Sequence, residues 1–441
     1  MDVSVASIRR HVPLAFILTV ALAARLVFAM AVVGLDNPGK GDEADYVSIA
    51  TSLANGTGFS SDGVHRTARR PPLFPFVLSL LFRAAGHATG PARVLNVLLG
   101  VLVVALLYAL TSLRFGRSVA MVAAGIASIH PFLVFISAYV LTENLYIVLW
   151  LLALLAVGPP KPMPSLRRIA LFAVLAALAT LTRPTGLPVF AFLTAGYVLA
   201  WQPAWKRSAR AVLLAVAVFA VVLAPWTLRN ARGFGGWVGL TTHGGVTFYQ
   251  GNNAKIIEVP QYRGGVAPLS ALPHFEQIAG AGERERDRRA WKLGAEFLRT
   301  HLRELPRVAW WKFARFWRLR SDVGMAGIKS GWWFSRDSTL GDLAARIDVP
   351  MAFFAVLFPL FIAGMWFLRL HAGDAVDLYA FVLAHTAVAI LFFGSLRGRI
   401  PVEPFIALFA AVAVVRGWRT LCAGRARTPR SGPARAETDT R

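Results

Sequence analysis

The run VPLAFILTVALAARLVFAMAVVG, residues 12–34, is followed four residues later by Gly39-Lys40-Gly41-Asp42-Glu43-Ala44-Asp45-Tyr46. The run exceeds the apolar core of a signal peptide and is long enough to cross a bilayer, which takes ~20 residues. It therefore reads as an uncleaved span that delivers Asp42 and Glu43 to a membrane surface. Working outward, similar windows recur at 93–113, 118–137, 140–158, 166–182, 184–201, 210–230, 348–369, 375–394 and 400–417. The expected fold class is an all-α polytopic membrane protein of about 10 transmembrane helices with outer-face interfacial helices.

Composition agrees. Of 441 residues, 56% are hydrophobic and 16% charged, where soluble domains carry about 25% charged residues. That balance excludes an ordinary soluble enzyme, a disordered chain and a coiled coil. The net charge of +24 would suggest nucleic acid in a soluble protein. In a membrane chain it marks cytoplasmic loops and lipid headgroups, so the bilayer is the expected partner and nucleic acid is not. Cys422 stands alone, which leaves no intrachain disulfide and no thiolate metal cluster.

Loop charges set the orientation. With the N-terminus in the cytoplasm, the inside loops carry Arg114 and Arg117; Lys161, Arg167 and Arg168; Lys206, Arg207 and Arg210; and Arg369. The short outside loops near 138 and 183 carry only Arg183. This positive-inside asymmetry puts both termini in the cytoplasm of a plasma (inner) membrane protein and the long segments 35–92 and 231–347 outside. Residues 1–422 form one membrane-embedded domain. The arginine-rich stretch 423–441 reads as a disordered basic cytoplasmic tail.

The outer segments carry the chemistry. From Glu43 to Leu53 apolar residues recur at helical spacing, and Gly56 and Gly58 stop the helix. Asp42 and Glu43 then sit at a helix N-terminus. Carboxylates there either simply cap the helix and complement its dipole, or face the depth at which a lipid-linked substrate would present its headgroup. Arg69-Arg70-Pro71-Pro72-Leu73 opens an apolar stretch to Phe82 that is too short to span and suits an interfacial helix. Thr241 to Asn253, rich in Gly and Asn, reads as a surface loop. Residues 283–305 read as an amphipathic helix. Residues 308–319 mix Trp310, Trp311, Phe313, Phe316 and Trp317 with basic residues, as interfacial segments do. His65, His243 and His274 show no zinc-like spacing, and no phosphate-binding glycine loop is present.

Arg25 lies mid-span, where a charge costs roughly 2.5–3.5 kcal/mol, so it should face the bundle and find a partner, with a carboxylate as the plain expectation. Glu143 falls at the outer end of the fourth span, within reach of the surface that holds Asp42 and Glu43. Arg183 and the Arg397-Gly398-Arg399 turn also fall outside. They either snorkel to lipid phosphate or grip a substrate.

Taken in order, these motifs resemble the GT-C glycosyltransferases of the protein O-mannosyltransferase and aminoarabinose transferase group. Asp42-Glu43-Ala44-Asp45-Tyr46 resembles the signature of that family's first outer loop. Arg70-Pro71-Pro72-Leu73 is similar to its Pro-Pro-Leu segment, and Leu141-Thr142-Glu143 to its second acidic site. Leu181-Thr182-Arg183-Pro184, Gly251-Asn252-Asn253 and Arg397 to Pro401 are similar to segments of bacterial members. The resemblance implies a GT-C-like bundle that moves a sugar, with inversion, from a polyprenyl-phosphate-linked donor to a glycan, lipid or protein acceptor on the outer face. It implies catalytic roles for Asp42, as base, and for Glu43 and Glu143. Arg183, Arg397 and Arg399 would bind the donor phosphate. Tyr46, Arg70, Asn252 and Asn253 would contact donor or acceptor. Use of a divalent metal ion is left open, with Glu43 and Glu143 as its ligands if one is used. The competing reading is a polytopic transporter or lipid flippase. It would repeat carboxylates or prolines at the midplane of several spans, whereas here the acidic residues gather at outer ends.

Overall fold

The computed structural model describes residues 5–202, 204–319, 349–369 and 372–427. Their regular secondary structure is helical, apart from one isolated bridge between Ser60 and Arg66, with turns and loops between the helices. The helices are α1 Val5–Val27, which runs on into a π-helical turn, Phe28–Val33, then α2 Asp42–Ala54, α3 Leu73–Ala85, α4 Thr89–Phe115, α5 Arg117–Ile129, α6 Pro131–Ser137 and α7 Glu143–Val157. They continue as α8 Leu166–Thr182, α9 Gly186–Ala200, α10 Trp205–Gly233, α11 Gly244–Gly251, α12 Lys255–Glu258, α13 Phe275–Ala279, α14 Glu283–Thr300 and α15 Leu305–Phe316. The chain closes with α16 Val349–Leu368, α17 Ala372–Leu391, α18 Leu396–Arg399 and α19 Glu403–Arg427. By length and composition, five described helices can cross a membrane, or six if the bent pair α5 and α6 counts as one span. The tail expected to be disordered from 423 instead continues α19 as helix to Arg427, and residues 428–441 lie outside the described residues.

α19 sits at the centre. Phe405, Ile406, Ala407, Leu408, Phe409, Ala410 and Ala411 are all fully buried, as a helix apolar on every side must be. α16 packs on it backbone to backbone. A Cβ on Gly364 would lie 1.9 Å from the Phe409 carbonyl, the close approach that small residues permit between membrane helices.

Two expectations change. The window 118–137 is not one straight span: Pro131 cannot donate to the preceding turn, and α5 and α6 meet at a 57° bend. The break strips the last α5 carbonyls of helical partners, and Arg25 supplies them. Its Nη1 donates to Ser128 O at 2.9 Å and its Nη2 to Ala127 O at 3.2 Å. The mid-span cation is thus bonded to the negative end of a broken helix rather than to a carboxylate. The second change is at 241–253, read as a loop. There Gly244–Gly251 forms α11, packed against α14.

Helix ends sort onto two faces. On one, Arg114 at the end of α4 pairs with Asp377 of α17 at 2.6 Å, and the Tyr197 hydroxyl of α9 donates to the same carboxylate at 3.2 Å. The opposite face carries α2, α3 and α11–α15. Its two long segments are joined where Thr242 N donates to Ala68 O at 2.9 Å and where Glu283 accepts from Thr67, Ala68 and Thr242.

Candidate active site

The Gly39-Lys40-Gly41 turn folds over the first turn of α2. A Cβ on Gly39 would lie 2.7 Å from the Glu43 Cβ, and Gly41 adopts φ +57, so both positions favour glycine. The turn delivers Asp42 to the helix start. Pro71 and Pro72, the latter at the N-cap of α3, lead into the helix and place Arg70 just ahead of it. Arg183 follows the last residue of α8. Ser395 accepts the Gly398 N–H at 2.9 Å and closes the α18 turn that carries Arg397.

These residues meet. Asp42 is bonded by Arg70 through one oxygen and by Arg397 through the other. Arg70 also bonds Asp45 at 2.6 Å. Glu143, fully buried, accepts through Oε1 from Arg397 Nε at 2.6 Å, and the same oxygen is ion-paired at 2.6 Å with Arg183 Nη1, which itself donates to Thr142 Oγ1 at 3.0 Å. Its Oε2 has no hydrogen-bond partner. The Tyr46 ring lies under the Arg70 guanidinium, 5.3 Å from its carbon. The cluster therefore sets three carboxylates, Asp42, Asp45 and Glu143, against four guanidinium groups, Arg69, Arg70, Arg183 and Arg397, with Arg397 as the bridge.

The charges act on one another. Burial alone would raise the Asp42 carboxyl, but Arg397 and Arg70 outweigh it and hold it well below the usual carboxylate range. Burial lowers Arg397, yet Glu143 and Asp42 raise it further, so it stays protonated. Burial pushes the Tyr46 hydroxyl up.

Four residues named from the sequence do not join the cluster. Glu43 points away from Asp42, because neighbours on a helix are turned ~100° apart. It accepts from Arg93 at 2.9 Å and from Val140 N at 2.7 Å. Arg93 also bonds the carbonyls of Asn37 and Ala138, so the pair pins α2, α4 and the turn before Glu143 together. Arg399 is fully buried, two positions from Arg397. It pairs with Glu403 at 2.7 Å, donates to Phe316 O at 3.2 Å and stacks 3.5 Å over the Phe354 ring. Asn252 donates to Phe248 O and Leu391 O and accepts from Lys312 at 2.7 Å. Asn253 bonds Tyr249 O, Gln250 O and Lys255 N. Both amides hold α11 to its neighbours.

Arg93 and Asp45 were not singled out from the sequence. The signal was there for Arg93: a guanidinium at the very start of an apolar window needs a partner. Arg93→Met leaves Glu43 buried and unpaired, and is expected to cost about 3–5 kcal/mol of stability. Glu43→Gln with Arg93→Met should recover part of that loss. Thermal unfolding in detergent checks both, and an undisturbed midpoint in Arg93→Met would contradict the pinning role.

Glu43 and Glu143, the ligands suggested for a metal, do not meet. Glu43 is committed to guanidinium and backbone donors, Glu143 keeps only Oε2 free, and among the described residues no group of three or more His, Cys, Asp or Glu is placed to hold an ion. A divalent cation draws several oxygens at once, so this pair does not fit one.

Fold and cluster together define a multi-pass membrane protein of GT-C architecture. Residues 69–228 match the family model described as dolichyl-phosphate-mannose-protein mannosyltransferase. That stretch contains Arg70, Glu143 and Arg183, while Asp42 and Arg397 lie on either side of it. The apo oligosaccharyltransferase of Archaeoglobus fulgidus shares the fold, with a TM-score of 0.53 and 16% identity over 95% of this chain and 52% of that one. Archaeal oligosaccharyltransferase AglB from the same organism, in complex with an inhibitory peptide and a dolichol-phosphate, gives 0.50 and 17% over the same shares. ArnT from Cupriavidus metallidurans bound to undecaprenyl phosphate gives 0.47 and 14% over 93% and 79%, too low a score to carry weight. The chain spans about half the length of the archaeal protein. No curated protein sequence matches it. The resemblance to GT-C glycosyltransferases read from the motifs is borne out by the family model and the shared fold.

Proposed function

We propose that this chain is an integral membrane glycosyltransferase. It moves a sugar from a polyprenyl-phosphate donor to an acceptor hydroxyl, with inversion, at the outer face of the plasma membrane. The observation that carries the reading is Arg397, which grips Asp42 and Glu143 at once. A guanidinium can hold two phosphate oxygens. A donor phosphate therefore competes with both carboxylates for Arg397, and with Glu143 for Arg183. Taking Arg397 from Asp42 removes a cation that depresses its basicity, so the base is strengthened when donor is bound.

The step follows. The acceptor oxygen attacks the anomeric carbon and its proton passes to Asp42. The bond from that carbon to the phosphate oxygen breaks, and the phosphate leaves with the electron pair, its charge met by Arg397 and Arg183. The partnerless Glu143 Oε2 is available to orient the acceptor. α3 and α15 bracket the prenyl chain against the bundle. The acceptor is a glycan, lipid or protein. Residues 1–422 form the catalytic unit and the remainder a cytoplasmic tail.

A transferase and a flippase part company over one bond. In membranes given a labelled polyprenyl-phosphate sugar, the reading expects label to leave the carrier and bare polyprenyl phosphate to accumulate. Donor that crosses the bilayer intact, with no release, would favour a flippase. Sidedness is checked separately. Cysteine at exposed Ser61 or Ser270 should react with an impermeant reagent in sealed cells, and cysteine at Ser165, on the other face, should not. The reverse pattern would invert the topology.

A further inference from the structure

His243 is a titratable side chain at the cluster that the step above does not use. It precedes α11, and its position is fixed from both sides. Thr242 N donates to Ala68 O at 2.9 Å, and Glu283 accepts from Thr242 Oγ1, Thr67 Oγ1 and Ala68 N. The segment carrying His243 is thereby tied alongside the segment carrying Arg69 and Arg70. On the other side, a Cβ on Gly245 would lie 2.1 Å from the Asp287 carbonyl oxygen, and Gly245 N donates to Asp287 Oδ1 at 2.6 Å. The first turn of α11 is thus seated tightly on α14.

The charges that reach the ring are Arg70, Arg69, Asp42 and Asp45, with burial the largest influence. Burial and the two arginines hold the imidazole down to about 4, against the pull of the two aspartates. At neutral pH the ring is neutral, with one nitrogen a donor and the other an acceptor. Neither nitrogen has a hydrogen-bond partner among the described residues. By contrast, Arg70, Arg183 and Arg397 each already bond a carboxylate. A half-buried imidazole that can both donate and accept, on a segment tied to the one whose Arg70 bonds Asp42, matches a neutral hydroxyl. It does not match a phosphate, which the arginines serve better.

We propose that His243 binds a sugar hydroxyl beside Asp42, either on the donor's own sugar or on the acceptor. This rests on the glycosyltransferase reading and extends it to the second outer segment, whose residues 241–247 then form part of the sugar subsite.

The test uses the full-length protein with polyprenyl-phosphate mannose and the same polyprenyl phosphate without sugar. His243→Phe keeps a ring and loses both hydrogen-bonding atoms, while His243→Asn keeps one donor and one acceptor. Binding of bare polyprenyl phosphate checks that each variant is folded and should be unchanged. In the first arm, the extra affinity that the sugar confers should fall roughly 3- to 10-fold in His243→Phe if the contact is to the donor sugar. In the second arm, transfer into the membranes' own acceptors at saturating donor should fall by a similar factor if the contact is to the acceptor. His243→Asn should restore whichever arm is lost. Wild-type transfer with both arms unchanged in His243→Phe overturns this inference alone. Equal losses in His243→Phe and His243→Asn also overturn it, since they would mark a packing role. No transfer by wild type from polyprenyl-phosphate mannose or from other polyprenyl-phosphate hexoses and pentoses overturns the underlying reading, and this inference with it.

Discussion

Asp42→Asn is expected to slow sugar transfer by ~10²–10⁴-fold, the usual cost of losing a general base, while polyprenyl phosphate binds at least as tightly as before. Asparagine keeps the size of the side chain and one accepting oxygen, so either Arg70 or Arg397 retains a partner. It cannot take the acceptor's proton. It also no longer competes with the donor phosphate for Arg397, which is why affinity should hold or improve. The two readouts together separate lost chemistry from lost folding. A third follows from the titration. Because Arg397 and Arg70 hold the carboxyl well below its ordinary value, Asp42 is ionised across about pH 5 to 8 and should give the pH–rate profile of free enzyme no acid limb there. The same depression means that Asp42 adds stability above its unfolded value, near 3.9. That contribution is lost as pH falls through the folded value. Near-normal turnover by a folded Asp42→Asn protein would remove it as the base and turn attention to Glu143.

Arg397→Lys is expected to weaken polyprenyl-phosphate binding by roughly 10- to 100-fold, the range for losing a charge-assisted hydrogen bond. Arg397 uses two different nitrogens, Nη1 toward Asp42 and Nε toward Glu143. A lysine ammonium is a single point on a flexible stem and cannot hold that fork. The charge survives, so a purely coulombic role would be largely spared, and the size of the loss reads the geometric part. Arg399→Lys is the useful contrast. Arg399 is fully buried against Glu403 and Phe354, and its substitution should lower thermal stability more than donor affinity. Equal donor affinity in wild type and Arg397→Lys would reduce Arg397 to a clamp between two carboxylates.

The members of the cluster are legible in the sequence where a charged residue stands next to, or a few residues from, the end of an apolar window. Asp42, Arg70, Glu143, Arg183 and Arg397 all share that position, and all five meet. What sequence spacing could not convey was direction around a helix. Glu43 follows Asp42 directly and Arg399 follows Arg397 by two, yet each turns to a different face and finds its own buried partner. Asn252 and Asn253 mark a turn correctly, but their amides serve the backbone of α11 and α17. Pro131 stands as a helix breaker inside the apolar window 118–137. Its consequence, carbonyls freed to receive Arg25, depends on two helices far apart in sequence. His243 stands out in the sequence only for lacking zinc-like spacing, because its place alongside the Arg69-Arg70 segment is set by contacts between residues 67–68, 242 and 283.

The most direct test of the central claim is the anomeric configuration of the product, read by nuclear magnetic resonance, after purified protein in liposomes has been given polyprenyl-phosphate sugar of known configuration. Single displacement by an acceptor hydroxyl deprotonated by Asp42 requires the sugar to arrive inverted, with one polyprenyl phosphate released per transfer. Retained configuration would require a covalent sugar–enzyme intermediate that the arginine-bound carboxylates are not set to form. Donor recovered with its phosphate–sugar bond intact would contradict the account altogether.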